Sequence, residues 1–247
     1  MNENVLIVGA NSAIARATAA RLAERHCTLL MAGQDLNELT RTANDLRLRY
    51  GVDCEALRFD ALDLESHEEF FADADRRFEG GLSGIVFCVG WMADQAVAAA
   101  DFAVAQRMID VNFTSAVSLL NHAGNAFEAR RRGWICALSS VAGDRGRQSN
   151  YLYGSTKAAL SAYLGGLRNR LAPSGVAVIT VKPGCVDTAM TYGLDKLPLV
   201  VSPERVAADV DRAIAGRKSV VYTPWPWWGI MMAIRLIPER IFQRMKL

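Results

Sequence analysis

The sequence is short of the features that mark several large protein classes. Its five cysteines (Cys27, Cys54, Cys88, Cys136 and Cys185) are scattered, and no two form a C-x-x-C pair. A zinc site or a disulfide scaffold is therefore not expected, no metal is called for, and buried reduced thiols of a cytoplasmic protein are. Charge of one sign is also missing. Lys and Arg number 28 against 26 Asp and Glu, a net charge of +2, which leaves no broad basic field for nucleic acid. Long hydrophobic runs are absent as well. The first, Val5-Leu6-Ile7-Val8, starts almost at once with no basic stretch before it. It does not read as a secretory signal and is far too short to span a bilayer. Repeats, linkers and low-complexity segments are not found.

What is present is 247 residues with 51% hydrophobic content, enough for one well-packed domain. Short apolar runs at 4–8, 27–32, 54–59, 84–89, 133–138, 176–181 and 219–222 read as strands. Helical patterns at 12–25, 35–49, 66–78, 101–130, 152–171 and 203–215 alternate with them. Continuously apolar strands suit a parallel sheet covered on both faces. The alternation predicts an α/β fold: a doubly wound, Rossmann-type parallel sheet of about seven strands with helices on both faces. Asp35, with Glu38 three residues on, marks one helix start.

The first strand runs into Gly9-Ala10-Asn11-Ser12-Ala13-Ile14-Ala15. A cofactor pyrophosphate needs a tight turn, close backbone approach and a helix N-terminus aimed at it. Gly9, Asn11, Ser12, Ala13 and Ile14 are the candidates. Such a turn also occurs in α/β domains that bind nothing there. More telling is Leu138-Ser139-Ser140-Val141-Ala142-Gly143 followed by Tyr153-Gly154-Ser155-Thr156-Lys157. Reducing a ketone takes a proton donor at oxygen while hydride reaches carbon. A tyrosine with pKa about 10 is a poor acid/base at neutral pH. A lysine four residues later shares its helical face, and its charge is expected to draw the tyrosine pKa down toward the working range. Ser140, at a strand end, can donate a further hydrogen bond to the substrate oxygen. A Y-x-x-x-K pair alone fits many ordinary amphipathic helices.

Jointly, Ser140 placed 13 residues before Tyr153, Lys157 and the opening glycine turn resemble the short-chain dehydrogenase/reductase family. The resemblance runs from residue 4 to about 190. It implies an NAD(P)(H)-dependent oxidoreductase acting on a carbonyl or secondary alcohol, with Asn112, Ser140, Tyr153 and Lys157 catalytic. By the same resemblance, Asn112 holds a proton-relay water near the lysine. Lys157 and Tyr153 also meet the nicotinamide ribose. Pro183, Gly184, Val186 and Thr188 cradle the nicotinamide, and Asp60 and Ala61 lie at the adenine. The turn departs from the family's T-G-x-x-x-G-x-G, with Val8 for Thr and Ala13 and Ala15 for two glycines. The N-N-A-G stretch reads Phe87-Cys88-Val89-Gly90, which keeps only Gly90 as room near the adenine ribose. An acid that would select NAD(H) falls at Gly33, and the arginine common in NADP(H) enzymes falls at Gln34. Gln34 can bond either a 2′-phosphate or a 2′-hydroxyl, and the balance falls narrowly to NADP(H) over NAD(H).

Composition shifts near residue 222. Residues 1–222 read as a single dinucleotide-binding and catalytic domain, and 223–247 as a Trp-rich basic tail that is not an independent domain. From Gly216 onward there are six Lys/Arg against one acid. Trp225, Trp227 and Trp228 precede a mostly apolar run in which Ile230, Ile234, Ile237, Ile241 and Met245 form one stripe. Two readings stand: residues 225–247 pack on a neighbouring subunit or over the active site of a homodimer or homotetramer, or they touch the inner face of a membrane. Within the family, this ending and Asp94-Gln95 are similar to the decaprenylphosphoryl keto-sugar reductase subgroup. A small-molecule or lipid-linked carbonyl substrate follows. The alternative is a dinucleotide-binding regulator, or a membrane-surface protein, on the same fold.

Overall fold

A computed structural model describes residues 3–193 and 197–245. The seven apolar runs form β1 (Asn4–Val8), β2 (Thr28–Gly33), β3 (Cys54–Arg58), β4 (Gly84–Phe87), β5 (Trp134–Leu138), β6 (Ala177–Pro183) and β7 (Val220–Thr223). All pair in parallel, in the order β3-β2-β1-β4-β5-β6-β7. The order reverses between β1 and β4, and in open α/β sheets a crevice opens beyond the strand C-termini at such a point.

The helices are α1 (Ala13–Glu24), α2 (Leu36–Tyr50), α3 (His67–Arg76), α4 (Gln95–Ala100), α5 (Phe102–Ile109), α6 (Ser115–Arg130), α7 (Tyr151–Leu171), α8 (Pro203–Ala215), α9 (Pro226–Leu236) and α10 (Glu239–Phe242). Side chains alternate across a strand, so an all-apolar strand feeds two cores. Val5 and Ile7 of β1 join one with Leu22 of α1, Leu39 of α2 and Val210 of α8. Leu6 and Val8 join the other with Phe71 of α3, Phe127 of α6 and Leu160 of α7. Asp35 caps α2, its carboxylate accepting from Glu38 N at 3.0 Å. Among the described residues, no helix is long and apolar enough to cross a membrane.

The predicted single helix over 101–130 is interrupted. Between α5 and α6, Asp110–Thr114 forms one wider π-helical turn. Such a turn carries an extra residue and re-aims side chains. Here it holds Asn112, which is fully buried. The short, alanine-rich α4 has no apolar period to reveal it; Asp94 starts it by accepting from Ala96 N and Val97 N.

Candidate active site

The first strand delivers Gly9 in the left-handed region, with φ 78°. A Cβ there would also stand 2.7 Å from Val89 N, so both conformation and space require glycine. Ser12 caps α1 by accepting from Ala15 N at 3.2 Å. The N–H groups of Ala13 and Ile14, in the first turn, then have no intrahelical partner, as an anion site needs. Gly9, Asn11, Ser12, Gln34, Ala61 and Gly90 all line one cavity of about 260 Å³. Trp91, Arg107 and Val111 also line it; no motif pointed to them. The turn, the free helix end and this hollow fit a dinucleotide. Asn11 reaches across to the next turn, donating to Asp35 O at 3.1 Å and accepting from Asp35 N at 3.2 Å. Gln34 donates to Asp60 Oδ1 at 3.3 Å, and Leu62 N donates to the same oxygen at 3.0 Å.

At the other end of the crevice, the end of β5 meets the first turn of α7. Lys157 is buried, and its Nζ donates to Leu138 O at 3.1 Å. A Cβ at Gly90 would stand 3.3 Å from that Nζ and 3.8 Å from Asn112 Oδ1, so Lys157 and Asn112 converge where the chain leaves β4. Asn112 accepts from Trp91 N at 2.7 Å and donates to Trp91 O at 2.8 Å and Thr156 Oγ1 at 3.1 Å. Thr156 donates in turn to Tyr153 O at 2.8 Å. It thus joins Asn112 to the backbone of Tyr153, a link visible only once the π turn is in place. Ser140 accepts from Ala142 N at 3.1 Å and lies 3.5 Å from Pro183 O.

The tyrosine's proton affinity departs from the expectation. Burial pushes the Tyr153 phenol up to about 12, while the Ser140 hydroxyl draws it the other way. Burial pushes Lys157 down to about 8. The Lys157 Nζ sits over the Tyr153 ring, 5.8 Å from its centroid. In this arrangement desolvation outweighs the Ser140 hydrogen bond, and the phenol holds its proton at neutral pH.

The loop after β6 lies beside Ser140 and does not line the 260 Å³ cavity. Gly184 N donates to Thr223 O at 2.9 Å. Val186 is buried and bridges to Val201. Thr191 Oγ1 donates to Val186 O at 2.5 Å and accepts from Thr188 N at 3.2 Å, which holds the turn closed.

The tail uses the predicted stripe only at Ile234. In α9 the buried side chains are Trp227 and Met231, packed on Val141 and partly on Cys185 and Ile234. Ile230, Ile241 and Met245 are exposed. Gly184 decides this register, because a Cβ there would stand 1.8 Å from Trp227 Nε1, so the glycine leaves room for the largest apolar side chain. Arg145 clamps the tail from the β5–α7 connection, donating to Ile234 O at 2.5 Å and Ile237 O at 2.7 Å. It also pairs with Glu239 at 2.9 Å and stacks on Phe242 at 3.7 Å. Lys246, counted in the basic end, lies outside the described residues.

The parallel sheet thus gathers Ser140, Tyr153, Lys157 and the buried Asn112 at one end of its crevice. The family model for short chain dehydrogenases matches residues 3–197. An uncharacterized oxidoreductase of Mycobacterium tuberculosis is 36% identical over 241 residues, 98% of this chain and 96% of its own. Another, of Streptomyces coelicolor, is 32% identical over 244 residues, covering 98% and 95%. A short-chain dehydrogenase from Sphingobium yanoikuyae, solved in complex with NADPH, superposes with a TM-score of 0.83 at 25% identity, covering 98% of this chain and 96% of that one. The chain belongs to the short-chain dehydrogenase family and is an NAD(P)-dependent oxidoreductase of that kind.

Proposed function

We propose that the protein reduces a carbonyl, or oxidises the matching secondary alcohol, on an apolar or lipid-linked substrate. The observation that carries this reading is Lys157. Its ammonium is buried with one acceptor among the described residues, Leu138 O, and a cation so placed lacks partners. A ribose diol would supply them. Bound nicotinamide supplies or accepts the hydride. Tyr153, protonated at neutral pH, gives its proton to the substrate oxygen as charge builds there, and Ser140 donates a second hydrogen bond. Asn112 holds the loop after β4 against α7. Gly9, Asn11, Ser12, Ala13 and Ile14 take the pyrophosphate, Gln34, Asp60 and Ala61 the adenosine, and Pro183, Gly184, Val186 and Thr188 the nicotinamide side.

NADP(H) is narrowly favoured. Residue 33 carries no carboxylate to repel a 2′-phosphate, and the Sphingobium relative was solved with NADPH. The apolar substrate is supported by the tail, whose buried side chains Trp227 and Met231 pack on Val141, next to Ser140 in the chain. The opposite face of α9 leaves Trp225, Trp228, Met232 and Leu236 exposed at 72%, 58%, 40% and 77%, next to exposed Arg235, Arg240 and Arg244. Apolar and basic groups on one surface suit the inner, anionic face of a membrane.

The test is Tyr153→Phe, which removes the proton donor and little volume. Nucleotide affinity should hold while turnover of carbonyl substrates falls by about three orders of magnitude. Turnover within about tenfold of the parent would reject Tyr153 as the acid.

A further inference from the structure

We infer that Arg147 is a specificity-determining residue that receives an anionic group, a carboxylate or phosphate ester, on the carbonyl substrate. The inference rests on the reductase reading above. Arg147 lies in the connection between Ser140 and α7, six residues before Tyr153. Its Nε is buried without a hydrogen-bond partner, and the guanidinium makes no ion pair among the described residues. This contrasts with Arg145, two residues earlier, whose donors are spent on the tail.

Two neighbouring groups bear on the Arg147 charge, Asp144 and Cys185. Neither serves as a counter-ion. The Asp144 carboxylate is sealed from solvent and already held by Lys182 and by Tyr222 OH at 2.8 Å. The Cys185 thiol is shifted up by burial and so stays protonated. Two further polar atoms lack partners here, Gln95 Nε2 and Asn150 Oδ1. Gln95 reaches this place by accepting from Leu152 N at 3.1 Å through its other amide atom. The guanidinium, unlike these amides, carries donors only. Trp227 Nε1 adds another unpaired buried donor beside Cys185.

Buried polar groups in folded proteins are nearly always paired. The Arg147 side chain is partly buried, its Nε closed off and unpaired and the rest of its fork without an internal partner among the described residues, so an anion arriving on the substrate supplies the missing acceptor. The planar fork of arginine suits a carboxylate or a phosphate.

The experiment uses the full chain saturated with nicotinamide nucleotide. Benzoate, its neutral twin benzamide, and inorganic phosphate are titrated by calorimetry. At least one anion should bind about tenfold or more tightly than benzamide. Arg147→Gln should abolish that margin without lowering the melting temperature, and Arg147→Lys should keep part of it. Dependence on Arg147 for benzoate alone assigns a carboxylate; for phosphate alone, a phosphate ester. A parent protein that does not distinguish anion from benzamide, or a margin that survives in Arg147→Gln, overturns the proposal. Binding here does not pass through Tyr153. Turnover of neutral ketones without anion preference sinks this inference alone. Anion binding without hydride transfer to any carbonyl sinks the reductase reading alone.

Discussion

Asn11 and Gly33 compete for one volume: Asn11 Oδ1 lies 2.4 Å from the point a Cβ on residue 33 would occupy. The position where an NAD(H)-selecting acid would stand is thus closed by the glycine turn itself. Gly33→Asp should clash, weaken binding of both nucleotides and cost about 1–3 kcal/mol by overpacking. Adding Asn11→Gly should relieve the clash and move the kcat/KM ratio toward NADH by about tenfold. A single Gly33→Asp variant with unchanged melting and nucleotide affinity would contradict this packing.

Gln34→Arg should move selectivity the other way. A guanidinium can pair with a 2′-phosphate through two hydrogen bonds, so the NADPH over NADH ratio of kcat/KM should rise about tenfold. Gln34 donates to Asp60, and an arginine there could be held by that carboxylate instead. Combining the change with Asp60→Asn should therefore enlarge the effect. Equal ratios in all three proteins would show that residue 34 does not face the ribose.

Lys157 gives stability a pH dependence of definite sign. Burial lowers its pKa from 10.5 to about 8. Between those values the unfolded chain holds a proton that the folded chain has released. Stability therefore rises with pH across that window, by on the order of 3 kcal/mol at most. Tyr153, pushed up to about 12, acts oppositely above about pH 10, where the unfolded chain ionises first. Burial also raises the thiols of Cys27, Cys54, Cys88 and Cys136, which act oppositely from about pH 9. The Lys157 contribution is therefore read by urea unfolding as a difference. Lys157→Met should exceed the parent at neutral pH, and the parent should gain on it from about pH 8 to about pH 10.5. Nucleotide affinity should fall over the same window as the ammonium is lost. A difference between parent and Lys157→Met that does not change with pH would show that Lys157 does not carry this dependence.

Thr156→Val should separate positioning from chemistry. It removes the acceptor for Asn112 Nδ2 and the donor to Tyr153 O. The loss should be about 1–3 kcal/mol of stability, with kcat falling more than nucleotide affinity. Thr156→Ser keeps the hydroxyl and should restore both. If serine fails to restore kcat, the hydrogen-bonded link is not what matters.

Neighbouring tryptophans of α9 should behave in opposite ways. Trp227 is 4% exposed and Trp228 is 58% exposed. Trp227→Ala should cost about 3–5 kcal/mol or detach the tail. Trp228→Ser with Leu236→Ser should leave stability within about 0.5 kcal/mol per site yet reduce binding to anionic phosphatidylserine vesicles. Vesicle binding that is absent from the parent, or indifferent to this pair, would end the membrane reading; a change in size by light scattering would point to a second copy of the chain.

The strand runs, the helix starts and the Ser140, Tyr153, Lys157 spacing were legible in the chain because each depends on residues close in sequence. A strand buried on both faces must be apolar throughout, and Asp35 can cap only the helix that begins beside it. What the linear order could not contain are the meetings of distant segments. The closure of residue 33 by Asn11, the choice of Trp227 over the isoleucine stripe by Gly184, and the joining of Asn112 to Tyr153 through Thr156 each need two or three elements docked together. The same holds for the tyrosine's proton affinity. Spacing alone suggested a lysine that lowers it, but burial raised it, because desolvation depends on everything packed around the phenol and not on the residue four places away.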